Sequence, residues 1–356
     1  MTTPITSDES IHLVALDPLR SLLEQALATF GVAKGHAEAI AEVLLDAEMR
    51  GYDDHGVYFL KELATWYRSG AMNPNPNIQV LRETPTSLLL DGDKGCAVVA
   101  SHRAMAWSVK QARTHGLASA AIQNSGHFVA AAPYVTAAAK AGFIGLTAAN
   151  VTPLMPPPGG KTRTLGTNPL AFAAPTGEGT PVVFDMATTG IAGFKARLAA
   201  QQGRLLPDGL VANAKGEPSN DPRDFVAGGL LLPVGGHKGF GLALMVEILS
   251  GVLTGAEFGR TAGITDGKEG HFFLALDPGL FIAREAFLER MDELVRYVKA
   301  SDRMEGVGEV FVPGERGQRR AAQIIESGWV PLNDLCWNAL VDVCGMVGLT
   351  PPETAA

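Results

Sequence analysis

Cysteine is scarce, with Cys96, Cys336 and Cys344 the only three in 356 residues, and no CxxC pair among them. That excludes a disulfide framework and a four-cysteine zinc site, and leaves free thiols suited to a reducing compartment. No HExxH, HxxEH or clustered Asp/His spacing suggests a metal. Long apolar runs are missing too. The longest candidate, Phe128 to Val151, is broken by Pro133 and Lys140, so it does not supply the roughly 18–20 apolar residues of a membrane span. The opening MTTPITSDES lacks the basic and apolar segments of a secretory leader. The expected location is therefore cytoplasmic, with no membrane partner. Basic charge is in the minority, 29 Lys and Arg against 37 acids for a formal net charge of −8. Nucleic acid is excluded as a partner on that balance, because phosphate contacts need a basic surface.

Several nucleotide and hydrolase signatures are absent as well. There is no GxGxxG after a strand, no GxxxxGK[ST] and no GxSxG, so neither a Rossmann fingerprint, a P-loop nor a hydrolase elbow is present. What the chain does have is glycine, 41 residues of it. Glycine weakens helices and strands, so the surplus points to loops that bend tightly or approach a ligand.

The length suits two or three domains. The first 70 residues read as three helices. Asp17-Pro18 offers a cap and a first-turn proline for the first, whose Leu19, Leu22, Leu23, Ala26 and Leu27 recur at helical spacing before Gly31. The second covers about His36 to Arg50. The third is expected to start at the capping pair Asp53-Asp54. MNPNPNI (Met72 to Ile78) then reads as a linker. Beyond it, TSLLLDGD, LASAAIQN, FIGLTAANV, PLAFAAP, TPVVFDMA and HFFLALDP read as strands. They alternate unevenly with helices, giving a mixed α and β pattern rather than a simple βαβ wind.

Four polar or glycine-rich loops carry the candidate chemistry. GYDDHG (Gly51 to Gly56) holds His55 beside two carboxylates. It reads as a proton donor or acceptor at a helix start, or as a capping or packing histidine. NSGHF places His127 after a strand end. NVTPLMPPPGGKTRTLGTNP (Asn150 to Pro169) is a rigid loop rich in amides and hydroxyls, either a ligand loop or a structural turn. GGHKG puts His237 and Lys238 at a helix N-terminus, either as a phosphate cradle or as a solvated surface charge.

Taken in order, EMRGYDDHGV, NSGHF, MPPPGGKTRTLGTNPLAFAAP, FDMATT…GRLLPDG, LLPVGGHKGFGLALMVEILSG and VPGE resemble the malate/L-lactate dehydrogenase family of NAD(P)-dependent oxidoreductases, from about Asp17 to Gly328. That family also includes ureidoglycolate, sulfolactate and diketogulonate enzymes and Δ1-piperideine-2-carboxylate reductase. The resemblance implies an α/β (α+β) fold with a non-Rossmann NAD(P)-binding domain built on a largely antiparallel sheet. It implies three domains. Residues 1–75 with 295–356 form a helical domain carrying the catalytic histidine, 76–125 with 270–294 an intermediate domain, and 126–269 the cofactor domain. It further implies a homodimer acting on a small-molecule substrate, with NAD or NADP bound near the subunit interface.

Residue by residue, the resemblance makes His55 the proton-transferring histidine and sets His127 beside nicotinamide and substrate. Asp185 would fix cofactor or histidine geometry. Asn150, Gly166, Thr167, Asn168, Pro169, Phe184, Asp185, Met186, Ala187, His237, Lys238, Gly314 and Glu315 would contact the cofactor. The chain departs from the family at two positions. Asp54 stands where members have serine, and Phe59 where they have an arginine able to face a substrate carboxylate. Both are therefore candidate substrate-facing residues, with helix capping as the alternative for Asp54, and Lys61 or Arg163 as stand-ins for the missing cation. The expected reaction moves a hydride between nicotinamide and the carbonyl or imine carbon of a small substrate. A 2-hydroxy-acid dehydrogenase, a cyclic ketimine reductase and an inactive cofactor-binding protein are the three readings to separate.

Overall fold

The computed structural model describes residues 10–263 and 267–355. The chain divides into two compact units, Met1–Asn75 with Glu315–Ala356, and Pro76–Gly314.

The first unit opens with β1 (Ile11–Ala15), α1 (Leu16–Thr29), α2 (Lys34–Arg50) and α3 (Phe59–Arg68). The expected apolar stripe of α1 is buried, and α2 buries Ile40, Leu44 and Ala47. Two expected starts move. Helix α1 begins one residue before Asp17, and its cap position, Ala15, makes no side-chain bond. Strand β1 runs straight into the helix, and the Leu16 N–H is met by the Gly328 carbonyl at 2.9 Å, so the first turn needs no carboxylate cap. Asp17 pairs instead with Arg20 at 3.0 Å. Helix α3 begins at Phe59, not at Asp53-Asp54, because the intervening residues form turns.

The second unit holds β2 (Gln79–Glu83), β3 (Ser87–Asp91), α4 (Val98–His115), β4 (Leu117–Ser125), α5 (Ala132–Lys140), β5 (Ile144–Ala149), β6 (Leu170–Ala174) and β7 (Val182–Met186). After these come α6 (Gly193–Gln201), β8 (Val211–Ala212), β9 (Pro218–Ser219), α7 (Pro222–Val226), β10 (Leu230–Leu231), α8 (His237–Glu247), β11 (Glu269–Leu276) and α9 (Arg284–Lys299). The main sheet has seven strands in the order β2-β3-β4-β11-β5-β6-β7. Its one parallel pair, β3 with β4, is bridged through α4; the other neighbours are antiparallel. This is the mixed, largely antiparallel architecture expected, and it accounts for the missing fingerprint: that motif belongs to the first turn of a parallel βαβ unit.

The sheet's core follows from strand alternation. Ala118, Ala120 and Ile122 of β4 are buried, as are Phe273 and Ala275 of β11. Helix α4 packs on β4 and β11, and α5 on β5 and β6. Tyr134 of α5 meets Phe273 edge-on at 5.9 Å and stacks on Phe128 at 5.5 Å. Helix α8 continues into a π-helical turn, Ile248–Val252.

The chain returns to the first unit through α10 (Glu315–Ser327), β12 (Trp329–Asn333), α11 (Asp334–Val347) and β13 (Thr354–Ala355). Strands β12 and β13 flank β1, with Ile11 opposite Asn333 and Leu13 opposite Ala355. All three cysteines are buried and free. No described helix is long and apolar enough to cross a membrane.

Gly270 of β11 shows how tightly the π-helical turn lies on the sheet. A Cβ there would run into the Ser250 carbonyl oxygen. The Gly270 N–H also donates to Asn150 Oδ1 at 2.8 Å. Gly270→Ala is expected to destabilise the protein by about 3 kcal/mol, as overpacking against backbone does, read from the urea midpoint at unchanged m-value. A midpoint equal to that of the parent would show that the turn can move off the sheet.

Candidate active site

In the first unit, the GYDDHG loop is held from several sides. Glu48 of α2 is 1% exposed and its Oε2 accepts from the Val57 N–H at 2.9 Å. Gly56 lies against it, and an added Cβ would collide with the Glu48 carboxylate and Cα. Arg320 of α10 donates to the carbonyls of Glu48 and Met49 at the end of α2. Asp53 Oδ2 accepts from Asn333 Nδ2 at 3.1 Å. His55 is thus set by a turn, its N–H on the Tyr52 carbonyl at 2.8 Å, rather than by a helical first turn.

The two departures from the family meet at His55. Asp54 Oδ1 is 3.2 Å from His55 Nδ1, with the aspartate side chain 7% exposed and the histidine 25%. Phe59 is fully buried and its ring stacks on the imidazole at 5.8 Å and 9°. Trp66 meets the Phe59 ring edge-on at 5.5 Å. The capping alternative for Asp54 fails, since the cap position of α3 is Tyr58 and makes no side-chain bond. Neither stand-in cation is uncommitted. Lys61 Nζ lies 2.5 Å from Asp342 Oδ2, and the Arg163 guanidinium of the second unit donates to the carbonyls of Phe225 and Gly229.

In the second unit, His127 is 7% exposed. Its Nδ1 accepts from the Val129 N–H at 2.9 Å, and its carbonyl accepts from the Ala97 N–H at 3.1 Å. Val129 makes that bond at φ 69°, a left-handed conformation costly for a β-branched residue. A ring whose Nδ1 accepts carries its neutral-form proton on Nε2. Asp185 of β7 accepts from the Ala132 N–H at 2.8 Å, capping α5 just after the His127 loop. Phe184 faces the other way; it is exposed and opposite Phe172 in the sheet. Met186 and Ala187 are half-buried.

Asn150 and Asn168, expected at the cofactor, are both fully buried. Asn150 Nδ2 donates to Glu247 Oε1 at 3.1 Å and to the Glu257 carbonyl at 2.9 Å. Asn168, at φ 33°, donates to Glu247 Oε2 at 2.6 Å and to the Ala243 carbonyl at 3.0 Å. Glu247 is the residue that sequence reasoning missed, a buried carboxylate of α8 that also accepts from the Gly259 N–H at 2.8 Å. The signal was a lone acid inside the apolar run GLALMVEILSG. Gly166 is buried where a Cβ would strike the Val151 carbonyl, while Thr167 and Pro169 are half-buried.

At the start of α8, Gly235 and Gly236 take φ 60° and 63° with nothing near an added Cβ. His237 and Lys238 are exposed, and the helix has no side-chain cap. Gly314 takes φ 82°, and Glu315 pairs with Arg319 at 2.6 Å.

The model of the malate/L-lactate dehydrogenase family matches residues 14–341, and the chain belongs to that family. It is similar to the ureidoglycolate dehydrogenase (NAD(+)) of Escherichia coli, 34% identical over 87% of this chain and 90% of that one. It is likewise similar to a Δ1-pyrroline-2-carboxylate/Δ1-piperideine-2-carboxylate reductase of Pseudomonas putida, 34% identical over 92% and 95%. The solved malate dehydrogenase of Pyrococcus horikoshii superposes with a TM-score of 0.88 at 32% identity, covering 97% of this chain and 98% of that one. The chain is an enzyme, and the inactive binding-protein reading is set aside.

Burial pushes the Glu48 carboxyl up to about 8, with the Asp53 charge adding to the effect. Burial also raises Glu269 well above the carboxylate range and lowers His271 to about 4. A carboxyl that keeps its proton in the fold loses stability as pH climbs from the unfolded value of about 4.5 to the folded one. The neutral His271 works in the opposite sense, between about 4 and 6.5. Above that window the carboxyl effect stands alone. Glu48→Gln keeps an acceptor for the Val57 N–H, so the fall in Tm between about pH 6.5 and 8 should become shallower, with little change near pH 5. An unchanged slope would show that Glu48 is ionised in the fold.

Proposed function

We propose that this enzyme interconverts a 2-hydroxy acid and its 2-oxo acid, with NAD as the redox partner. The observation that carries the reading is the family match over residues 14–341; the resemblance of the GYDDHG and NSGHF motifs supports His55 and His127 as its two histidines. The residues fit a dinucleotide. Gly235 and Gly236 leave the start of α8 open, and an exposed Lys238 beside uncapped helical N–H groups suits a pyrophosphate. The exposed Phe184 offers an apolar face on β7 of the same unit. Asn150, Asn168 and Asp185 would then serve by holding loops rather than by touching the cofactor.

When bound, the nicotinamide supplies or accepts the hydride. His55 gives a proton to the substrate oxygen in reduction and takes it back in oxidation. His127, in the second unit, has its Nδ1 engaged by the Val129 N–H, which puts the proton of its neutral ring on Nε2. Cyclic ketimine reduction is the second reading. It is favoured by the likeness to the Pseudomonas reductase. The exposed apolar side chains Leu244, Met245, Ile248, Val252 and Leu253 of α8 and its π-helical turn support a homodimer, since water disfavours such a surface. A cytoplasmic location accords with the free buried thiols.

His55→Gln should lower kcat by at least about 100-fold, while NADH binding followed by its fluorescence stays unchanged. Near-parental turnover would remove His55 from the proton path. Oxidation of malate and ureidoglycolate with NAD, set against reduction of Δ1-piperideine-2-carboxylate with NADH and NADPH, separates the two substrate readings and the two cofactors.

A further inference from the structure

We propose that Asp54 is a positioning residue for His55, an internal carboxylate that fixes the imidazole's tautomer and plane, and not a charge presented to the substrate. The inference rests on the reading of His55 as the proton-transferring residue. Three observations support it. The carboxylate lies 3.2 Å from Nδ1 while its own side chain is 7% exposed, against 25% for the imidazole, so the charge faces inward. Phe59 then stacks on the ring at 9°, and its complete burial leaves it little room to tilt. Neighbouring groups are engaged elsewhere: Glu48 with the Val57 N–H, Asp53 with Asn333, and Arg320 with the carbonyls of Glu48 and Met49.

A carboxylate at Nδ1 holds the proton on that nitrogen and leaves Nε2 to exchange. In reduction, the imidazolium passes its Nε2 proton to the substrate oxygen or imine nitrogen as the hydride reaches the adjacent carbon. The N–H bonding pair stays on Nε2, the ring is left neutral as the Nδ1–H tautomer, and solvent restores the proton. In oxidation each transfer reverses. The two departures from the family thus become one device: phenyl ring against the imidazole face, carboxylate against its edge.

The test pairs kinetics with a spectroscopic signature. Protein labelled with 15N-histidine carries eight histidines, and His55→Gln assigns the His55 signals. In the parent the neutral ring should show its proton on Nδ1. In Asp54→Ala it should move to Nε2, the form that free imidazole side chains favour. With malate or Δ1-piperideine-2-carboxylate as probe, Asp54→Ala should lose about 100-fold in kcat with little change in KM. Asp54→Ser, whose hydroxyl can accept from Nδ1–H, should recover most of the loss. A lower KM for the anionic probe at unchanged kcat would overturn the proposal in favour of a substrate-facing charge. So would 15N shifts that do not respond to Asp54→Ala. If His55→Gln itself retains turnover, the proton-transfer reading fails, and the 15N result still decides whether the pair exists.

Discussion

A carboxylate placed inside a protein has to be surrounded by donors, because leaving it unpaired costs several kcal/mol. Glu247 imposes that requirement on the second unit. It draws Asn150 from the end of β5, Asn168 from the GTNP loop and the Gly259 N–H onto one side chain of α8. Asn150 in turn accepts from Gly270 of β11. Two glycine-rich loops, a sheet end and a helix are therefore positioned by one charge. The start of that helix is GGHKG, so the same network sets where Lys238 and its neighbouring N–H groups are presented.

The local parts of this arrangement were legible in the sequence. The stripes of α1 and α2, the apolar runs of β4 to β7 and β11, and the uneven strand spacing each reflect short-range periodicity, which a sequence displays directly. The errors came where a distant partner decided the outcome. Asp53-Asp54 carries the composition of a helix start, yet Glu48 holds the Val57 N–H and keeps the segment in turns until Phe59. Asp17 looked like a cap, but Gly328 supplies the acceptor. The short IHLVA segment gave too little pattern to separate it from the helix that follows, since its partner strand lies more than 300 positions later.

The candidate site divides along the same line. Histidines between glycines stood out as chemistry, and the ordered motifs gave the family. The use of each side chain did not stand out. Asn150 and Asn168 look like ligand contacts when read in their loops, and become internal braces once Glu247, 97 and 79 positions away, is included. Val129 carries no signal at all in the sequence. Its left-handed backbone is visible only in three dimensions, where it turns an amide toward His127.

The pairing of β1 with β12 and β13 has a consequence for how the molecule is made. During translation Ile11–Ala15 emerges before the second unit, but the strands that bracket it are synthesised only after the whole of Pro76–Gly314. The second unit is contiguous and can complete its sheet while the nascent chain is still growing. The first unit cannot close its sheet until β12 and β13 have followed the second unit off the ribosome. The His55 loop, braced by Arg320 and Asn333 from the segments that follow the second unit, thus sets only after that unit has been synthesised.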